Sequence, residues 1–306
     1  MMNNMTAPMP PSLQRLDGTV GVWTFAQETL PAAQSGEIAA ELEELGFAAI
    51  WIPEAWGREA FTNAALQLAA SSTITVATGI ANIWARDAVA AVNASKTLNA
   101  AFNDRFLLGL GVSHQPLVQR MRGHDYAAPL NAMREYLTAM NEAPMAAPEG
   151  HHPAARVIAA LGPKMLALGA ELADGVHPYL VTAEHTAIAR AAVGEKFVGV
   201  EQAVVLGQSR DVFLARAHAH LDMYTGLANY RNNWLRMGFT EADFVRGGSD
   251  RLCDALVVHG DEAAIMASVD EHRSAGANHV CLQVLTDPEA PVPHEDWRRI
   301  GAAIDQ

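Results

Sequence analysis

The sequence has few cysteines and few cations. Its two cysteines, Cys253 and Cys281, match no metal or redox spacing, and buried thiols in a reducing compartment are the ordinary interpretation of such a pair. The 21 lysines and arginines are outnumbered by 34 acidic residues, which gives a formal net charge of -13. This balance argues against nucleic acid or an anionic membrane as the main partner, so we expect a small-molecule substrate.

Long apolar runs are missing as well. No window reaches the length of a membrane span, and the N-terminus MMNNMTAPMPPSLQRL has neither the basic start nor the apolar segment of a signal peptide. A cytoplasmic location is therefore expected. Half of the residues are nevertheless hydrophobic, and at 306 residues this predicts a globular protein with a large core, most simply a barrel if it forms one domain.

Apolar runs of strand length alternate with segments of helical period along most of the chain. The predicted strands cover residues 20–25, 48–52, 75–80, 106–112, 156–161, 175–179, 199–206 and 279–285. The predicted helices cover residues 35–46, 63–71, 88–101, 116–141, 163–174, 183–193, 210–224 and 262–275. Eight strands that alternate with helices predict an α/β fold of the (β/α)8 TIM-barrel class.

Two stretches depart from this alternation. Residues 141–156 are rich in proline and alanine, and we expect a surface connection in which His151 and His152 face solvent. Residues 226–258 have helical and turn character and are expected to form an insertion over the barrel mouth. No linker separates these parts, so we expect one domain over residues 18–306, preceded by a disordered or loosely attached segment over residues 1–17.

The chemistry of a TIM barrel gathers where its strands end. The residues at the predicted strand ends are mainly aromatic or hydrogen-bonding, and they include no converging set of metal ligands, nucleophile elbow or Walker motif. We therefore expect no metal. A broad apolar pocket with few polar groups suits a flat conjugated cofactor, so redox chemistry on a bound ring is the leading interpretation.

Three segments give the chain a family resemblance: VATGIAN at residues 76–82, RFLLGLGVSH at residues 105–114 and ADGVHPY at residues 173–179. From about Gly18 to Ile304 the chain resembles the luciferase-like monooxygenase family, and within it the branch that uses the deazaflavin coenzyme F420. The resemblance implies an F420-dependent oxidoreductase that transfers a hydride to or from a small organic substrate. An FMN-dependent monooxygenase of the same fold and a non-catalytic flavin-binding protein are the alternatives. Relatives are usually dimers, so a homodimer is expected.

The resemblance also implies where the cofactor lies. In the F420 branch, the third strand commonly ends in a bulge with a cis peptide bond between non-proline residues, which would fall at Gly79–Ile80 and support the ring. The loops after the fourth and fifth strands would hold the phosphate-bearing tail, and a helix starting at Pro163 offers free N–H groups for a phosphate. The implied cofactor-binding residues are Gly79, Ile80, Ala81, Asn82, Gly111, Val112, Ser113, Leu161, Gly162 and Pro163.

Three residues are candidates for the catalytic proton transfer that accompanies the hydride: Glu54, His114 and His177. For Glu54 a salt bridge to Arg58 or Arg86 is an open alternative, and for His177 the alternative is a core histidine bonded to backbone. The expected substrate pocket consists of Trp23, Trp56, Trp84, Tyr179 and Gln283. In the insertion, Tyr230, Arg231 and Asn233 either close over the substrate or form a polar helix surface.

Overall fold

The computed structural model describes residues 9–287 and 289–304. Its strands are β1 (Thr19–Trp23), β2 (Ala49–Ile52), β3 (Thr75–Thr78), β4 (Ala81–Asn82), β5 (Phe106–Gly111), β6 (Arg156–Ile158), β7 (Gly175–Val176), β8 (Phe197–Leu206), β9 (Val257–Gly260) and β10 (His279–Val284). Within the described residues, eight parallel strands close into a barrel in the order β1-β2-β3-β5-β6-β7-β8-β10, and β10 pairs again with β1. The predicted (β/α)8 TIM barrel is confirmed, with strand ends within three residues of the predicted ones.

Helices connect the strands and surround the barrel. They are α1 (Pro11–Gln14), α2 (Ala26–Thr29), α3 (Ala32–Glu44), α4 (Ala60–Ala69), α5 (Ala88–Ala101), α6 (Pro129–Glu142), α7 (Pro163–Leu172), α8 (Ala183–Val193), α9 (Arg210–Leu221), α10 (Ala228–Arg236), α11 (Asp250–Leu256), α12 (Glu262–Ser274) and α13 (His294–Ile304). Their ends follow local chemistry. The Asp87 carboxylate accepts the Ala90 N–H at 2.8 Å and so caps α5, while Gly46 follows α3 with a φ of 83°.

The helix predicted over residues 116–141 is wrong as one element. Residues Leu117–Met121 form a separate π-helical turn, and α6 begins at Pro129. Gly123 and Ala128 between them have φ values of 70° and 51°. The apolar periodicity continued through the break, but a proline restricts the residue before it and starts a helix more readily than it continues one. The break places the segment around residue 126 beside the loop after β5, where the Tyr126 hydroxyl donates to the Ser113 carbonyl at 3.0 Å.

The expectation of a disordered or loosely attached segment over residues 1–17 is also wrong for residues 9–17; residues 1–8 lie outside the described part. The side chains of Leu13 and Leu16 are 0% and 1% exposed and belong to the cluster that fills the barrel interior. They lie at the end where the strands begin, since the Leu16 carbonyl accepts the Thr19 hydroxyl at 2.7 Å. The short helix α1 therefore closes the barrel at the amino-terminal ends of its strands.

Side chains alternate between two apolar layers along the strands. Ile50 and Val76 point outward to the helices, whereas Trp51 points inward. The Trp51 ring stacks on His177 with centroids 4.2 Å apart, and its N–H donates to His279 Nε2 at 3.2 Å. These rings fill the middle of the barrel, so a ligand finds room where the strands end.

The connection between α6 and β6 has no helix or strand, and His151 and His152 are exposed there, as expected. The insertion is also present: it follows the turn Tyr224–Gly226, contains α10, the turn Glu241–Phe244 and α11, and ends in the unpredicted strand β9. In the described part of the chain, no helix has the length and apolar character that crossing a membrane requires. No group of metal-binding side chains is found among those residues either, and the absence of a metal stays a prediction.

Candidate active site

A cavity of about 670 Å³ opens at the carboxyl ends of the barrel strands. The strands β2, β3, β5, β6 and β7 contribute its floor and sides, and the insertion contributes the remaining wall. Thirteen of the residues predicted from the sequence line it: Glu54, Trp56, Gly79, Ile80, Gly111, Val112, Ser113, His114, Leu161, Gly162, Pro163, His177 and Tyr179. The loops that the sequence placed at separate strand ends therefore meet around one space.

The floor of the cavity is the segment Gly79–Ile80, which joins β3 to β4. The peptide bond between these residues is cis, as the resemblance implied. The Gly79 N–H donates to the Ile52 carbonyl at 2.7 Å, and its carbonyl accepts the Trp23 indole N–H at 3.1 Å. The backbone lies so close to Trp23 that a Cβ on Gly79 would stand 2.5 Å from Trp23 Nε1. Trp23 therefore supports the floor from behind.

His177 lies beside this floor and is 1% exposed. Its Nδ1 is 2.9 Å from the Gly199 carbonyl, which can only accept, so Nδ1 carries the proton and Nε2 is an acceptor. Nε2 has no hydrogen-bond partner among the described residues, and it lies 3.3 Å from the position of a Cβ on Gly79. Burial lowers the pKa of His177 to about 4. His177 is therefore a buried histidine bonded to backbone, which was the alternative left open by the sequence. Its neutral Nε2 is also an acceptor at the cavity.

Glu54 is held in an ion pair with Arg86, one of the two salt bridges that the sequence left open. One carboxylate oxygen accepts Arg86 Nη1 at 2.9 Å and the Asn82 N–H at 2.7 Å. The other accepts Arg86 Nη2 and, at 3.4 Å, the Ala60 N–H. Arg58 instead donates to backbone carbonyls, including that of Gln27 at 3.0 Å. Glu54 thus joins the end of β2 to the residues that follow the floor.

Five predicted site residues, all of them described by the structure, do not line the cavity: Trp23, Ala81, Asn82, Trp84 and Gln283. Four of them hold lining residues instead, and Ala81 pairs with Leu110 of β5. The Trp84 indole N–H donates to the Val112 carbonyl at 3.0 Å, and Gln283 accepts the Tyr179 hydroxyl at 2.7 Å. Their placement at strand ends was correct, but side chains there alternate in direction, so a shift of one residue turns a lining residue into a supporting one.

One end of the cavity is cationic. Gly162 precedes the first turn of α7, the end of that helix where the backbone dipoles leave partial positive charge. Lys164 lines this end, and Nη2 of Arg236 lies 3.6 Å from the position of a Cβ on Gly162. The same Nη2 donates to Asn233 Oδ1 at 3.1 Å. An anionic group of a ligand would be stabilised here.

The sequence of the chain also matches those of known proteins. The family model for luciferase-like monooxygenases matches residues 18–279. The chain belongs to the luciferase-like monooxygenase family. A Mycobacterium tuberculosis protein, provisionally named a coenzyme F420-dependent oxidoreductase, is 28% identical to it over 178 residues, which is 48% of this chain and 51% of that relative. The chain spans 51% and 60% of the length of the first two curated relatives that it matches.

Solved structures of the family share the fold. One is an F420-dependent secondary alcohol dehydrogenase in complex with an F420-acetone adduct, with a TM-score of 0.72, 13% identity, and coverage of 94% of this chain and 98% of that one. Another is the oxygenating constituent of 3,6-diketocamphane monooxygenase from Pseudomonas putida in complex with FMN, with a TM-score of 0.67, 12% identity, and coverage of 92% and 95%. At these identities the likeness establishes the barrel alone.

Within this luciferase-like barrel, the insertion and the turn just before it supply lining residues that the sequence-based reasoning missed: Met223, Tyr224, Asn229, Asn232 and Arg236. Of the three residues considered there, Tyr230 lines the cavity, Asn233 is buried next to Arg236, and Arg231 turns away to pair with Glu241. Helical spacing could have identified three of the missed residues, because positions 229, 232 and 236 fall on one face of α10.

One wall of the cavity is aromatic and uncharged. The Tyr224 hydroxyl donates to that of Tyr179 at 3.2 Å, and the rings of Tyr224 and Tyr230 meet edge to face with centroids 4.9 Å apart. Burial raises the pKa of all three tyrosines and lowers that of His114 to about 4. Near neutral pH these side chains are therefore neutral hydrogen-bonding groups.

Proposed function

We propose that this protein is an oxidoreductase that binds coenzyme F420 in the cavity and transfers a hydride between the cofactor and a small organic substrate. The observation that carries the proposal is the division of the cavity into a neutral floor with an unpaired acceptor and an end with two cations. The name of the Mycobacterium tuberculosis relative supports the choice of cofactor. Bound F420 supplies a deazaflavin ring that gives or takes a hydride at one carbon.

The residues of the floor fit a flat ring with polar edges. A Cβ on Gly79 would point at Trp23 behind the floor, so Gly79 turns only its backbone to the cavity and a ring can approach it closely. Ile80 and Gly111 continue the surface, since a Cβ on Gly111 would stand 2.4 Å from Ile80 Cδ1. His177 Nε2 would accept an N–H or O–H of the ligand, which also removes the cost of leaving a buried acceptor unpaired.

The cationic end fits the phosphate that the tail of the cofactor carries. Lys164, Arg236 and the first turn of α7 would hold it, and Gly162 allows the backbone to come close. Ser113 lies at the cavity with a φ of 55° and offers a hydroxyl from the loop after β5. The positions proposed for the tail therefore rest on groups that this chain itself provides at the cavity.

The three candidates for the accompanying proton occupy different places. Glu54 is engaged by Arg86 and backbone N–H groups, and the free nitrogen of His177 lies at the floor. His114 lines the cavity, and its ring contacts that of Tyr230 in the insertion, with centroids 5.9 Å apart. We therefore propose that the His114 imidazole forms the hydrogen bond to the substrate oxygen. It would also donate or accept the proton that this oxygen gains or loses.

Titration of the apoprotein with F420 and, separately, with FMN tests the proposal. Fluorescence should show saturable binding of F420, because the floor and the cationic end accept a ring and a phosphate together. Tight FMN binding without a response to F420 would replace the proposal by an FMN-dependent monooxygenase. Saturable F420 binding that never leads to oxidation or reduction in a broad screen of alcohols, aldehydes and ketones would instead favour a non-catalytic binding protein.

Arg236→Gln is expected to weaken F420 binding about 10- to 100-fold, because a hydrogen bond to a charged group contributes about 1.5–3 kcal/mol. The same titration measures the loss, and raising the salt concentration should affect the variant less than the wild type. Arg231→Gln is the matched control: it lies on the same helix but pairs with Glu241, so its F420 affinity should be unchanged. Equal losses in the two variants would contradict a phosphate site at Arg236.

A further inference from the structure

We infer that the half of the cavity lined by His114 and the insertion is a substrate site for an uncharged aromatic molecule that carries a hydroxyl or carbonyl oxygen. This inference rests on the proposed function, which places the cofactor ring on the Gly79–Ile80 floor and its phosphate at the cationic end. The space that remains is bounded by Trp56, His114, Tyr224 and Tyr230.

The charges of the lining exclude a charged substrate from this half. Among the described residues, the charged side chains that line the cavity, histidines apart, are those of Glu54, Lys164 and Arg236. Glu54 is already neutralised by Arg86. The two cations belong to the end at Gly162, where the phosphate competes for them. A carboxylate or ammonium group bound near Tyr224 would therefore lose hydration without gaining a partner of opposite charge.

The apolar surface of this half points to an aromatic ligand. Tyr224 and Tyr230 both line the cavity and are 7% and 6% exposed. Trp56 and Met223, at the rim, are 66% and 41% exposed, so large apolar side chains are left in solvent at the mouth. A flat apolar molecule would cover them and stack on the aromatic rings.

The polar groups of this half are neutral. His114 offers a ring nitrogen in either role, and Asn229 and Asn232 offer amide groups on the face of α10 that meets the cavity. These groups suit a hydroxyl or carbonyl oxygen, which needs one or two hydrogen bonds and no countercharge. The aromatic rings and neutral hydrogen-bonding groups of this half therefore favour an uncharged aromatic substrate, and the absence of a free cation among the described residues there disfavours an anionic one.

Binding of matched probes to the F420-loaded protein tests the inference. Benzyl alcohol, benzaldehyde, benzoate and benzylamine have the same ring and differ in charge, so calorimetric or saturation-transfer measurements at pH 7 compare charge directly. The two neutral probes should bind roughly tenfold or more tightly than benzoate and benzylamine. Binding of either charged probe as tightly as benzyl alcohol, or no binding of the neutral probes, would overturn the inference.

A variant with an added cation gives the reverse test. Met223→Lys places an ammonium group at the rim and should raise benzoate affinity roughly tenfold, whereas the matched control Met223→Gln adds polarity without charge and should not. No gain for Met223→Lys over Met223→Gln would count against the site. The separate F420 titration keeps the two proposals apart: failure to bind F420 contradicts the proposed function, while equal affinity for charged probes on loaded protein contradicts only the substrate class.

Discussion

Gly79→Ala should lower kcat/KM roughly 100-fold and weaken cofactor binding, although the barrel remains folded. The added methyl group would stand 2.5 Å from Nε1 and 3.0 Å from Cδ1 of Trp23, and 3.3 Å from His177 Nε2. Trp23 is 3% exposed and packed against Phe25 and Tyr179, so it cannot move aside. The floor must instead shift toward the ring, and a displacement of about 1 Å in such a site is costly.

Two further variants separate this effect from a general loss of stability. Gly226→Ala is the matched control, because a Cβ there has no atom within 4 Å and Gly226 ends the turn that begins at the lining residue Tyr224. It should keep wild-type binding and melting temperature. Trp23→Leu in the Gly79→Ala background removes the clashing ring and should restore part of the F420 affinity. Wild-type F420 binding by Gly79→Ala alone would show that the floor does not contact the ring.

The sequence was sufficient for those features that depend on short-range patterns. The eight barrel strands follow from apolar runs, and α5 and α8 have the predicted bounds because their periodicity and ends agree. The floor at Gly79–Ile80 was found through the motif VATGIAN and its family resemblance, since a glycine in a strand has several structural explanations.

The features that the sequence did not reveal depend on long-range packing. Arg236 reaches Gly162 from 74 residues away along the chain, and no local pattern states which end of the cavity α10 covers. Similarly, the sequence could not decide between Arg86 and Arg58 as the partner of Glu54. In the structure the turn after β4 brings the Arg86 guanidinium to Glu54, whereas Arg58 bonds the Gln27 carbonyl. The segment before α6 shows the opposite failure, because local periodicity predicted a continuous helix that Pro129 and the contact of Tyr126 with Ser113 interrupt.

Glu54→Gln should destabilise the protein by about 3 kcal/mol, since removing one partner of a buried ion pair leaves the other charge uncompensated. Glu54 and Arg86 are 4% and 13% exposed, and the same carboxylate accepts the Asn82 N–H behind the floor. Arg86→Gln should cause a similar loss. The double variant should lose much less free energy of unfolding than the two single variants together. Urea unfolding of the wild type, the two single variants and the double variant would measure this difference as a coupling free energy.

The exposed pair Arg134–Glu171 is the matched control for this cycle. It has the same two-point geometry, with distances of 2.6 and 2.7 Å, but its side chains are 47% and 53% exposed. Its cycle should show no resolvable coupling, because water solvates both charges whether or not they meet.

The pair of variants also decides what Glu54 does in turnover. If its role is to hold the floor through Asn82, then Glu54→Gln and Arg86→Gln should weaken F420 binding in parallel, and neither should change the pH dependence of kcat. A selective loss of kcat in Glu54→Gln, with normal stability and normal F420 affinity, would instead make Glu54 the residue that moves the proton. The geometry favours the first result, because four N–H groups already occupy the carboxylate that would have to carry that proton.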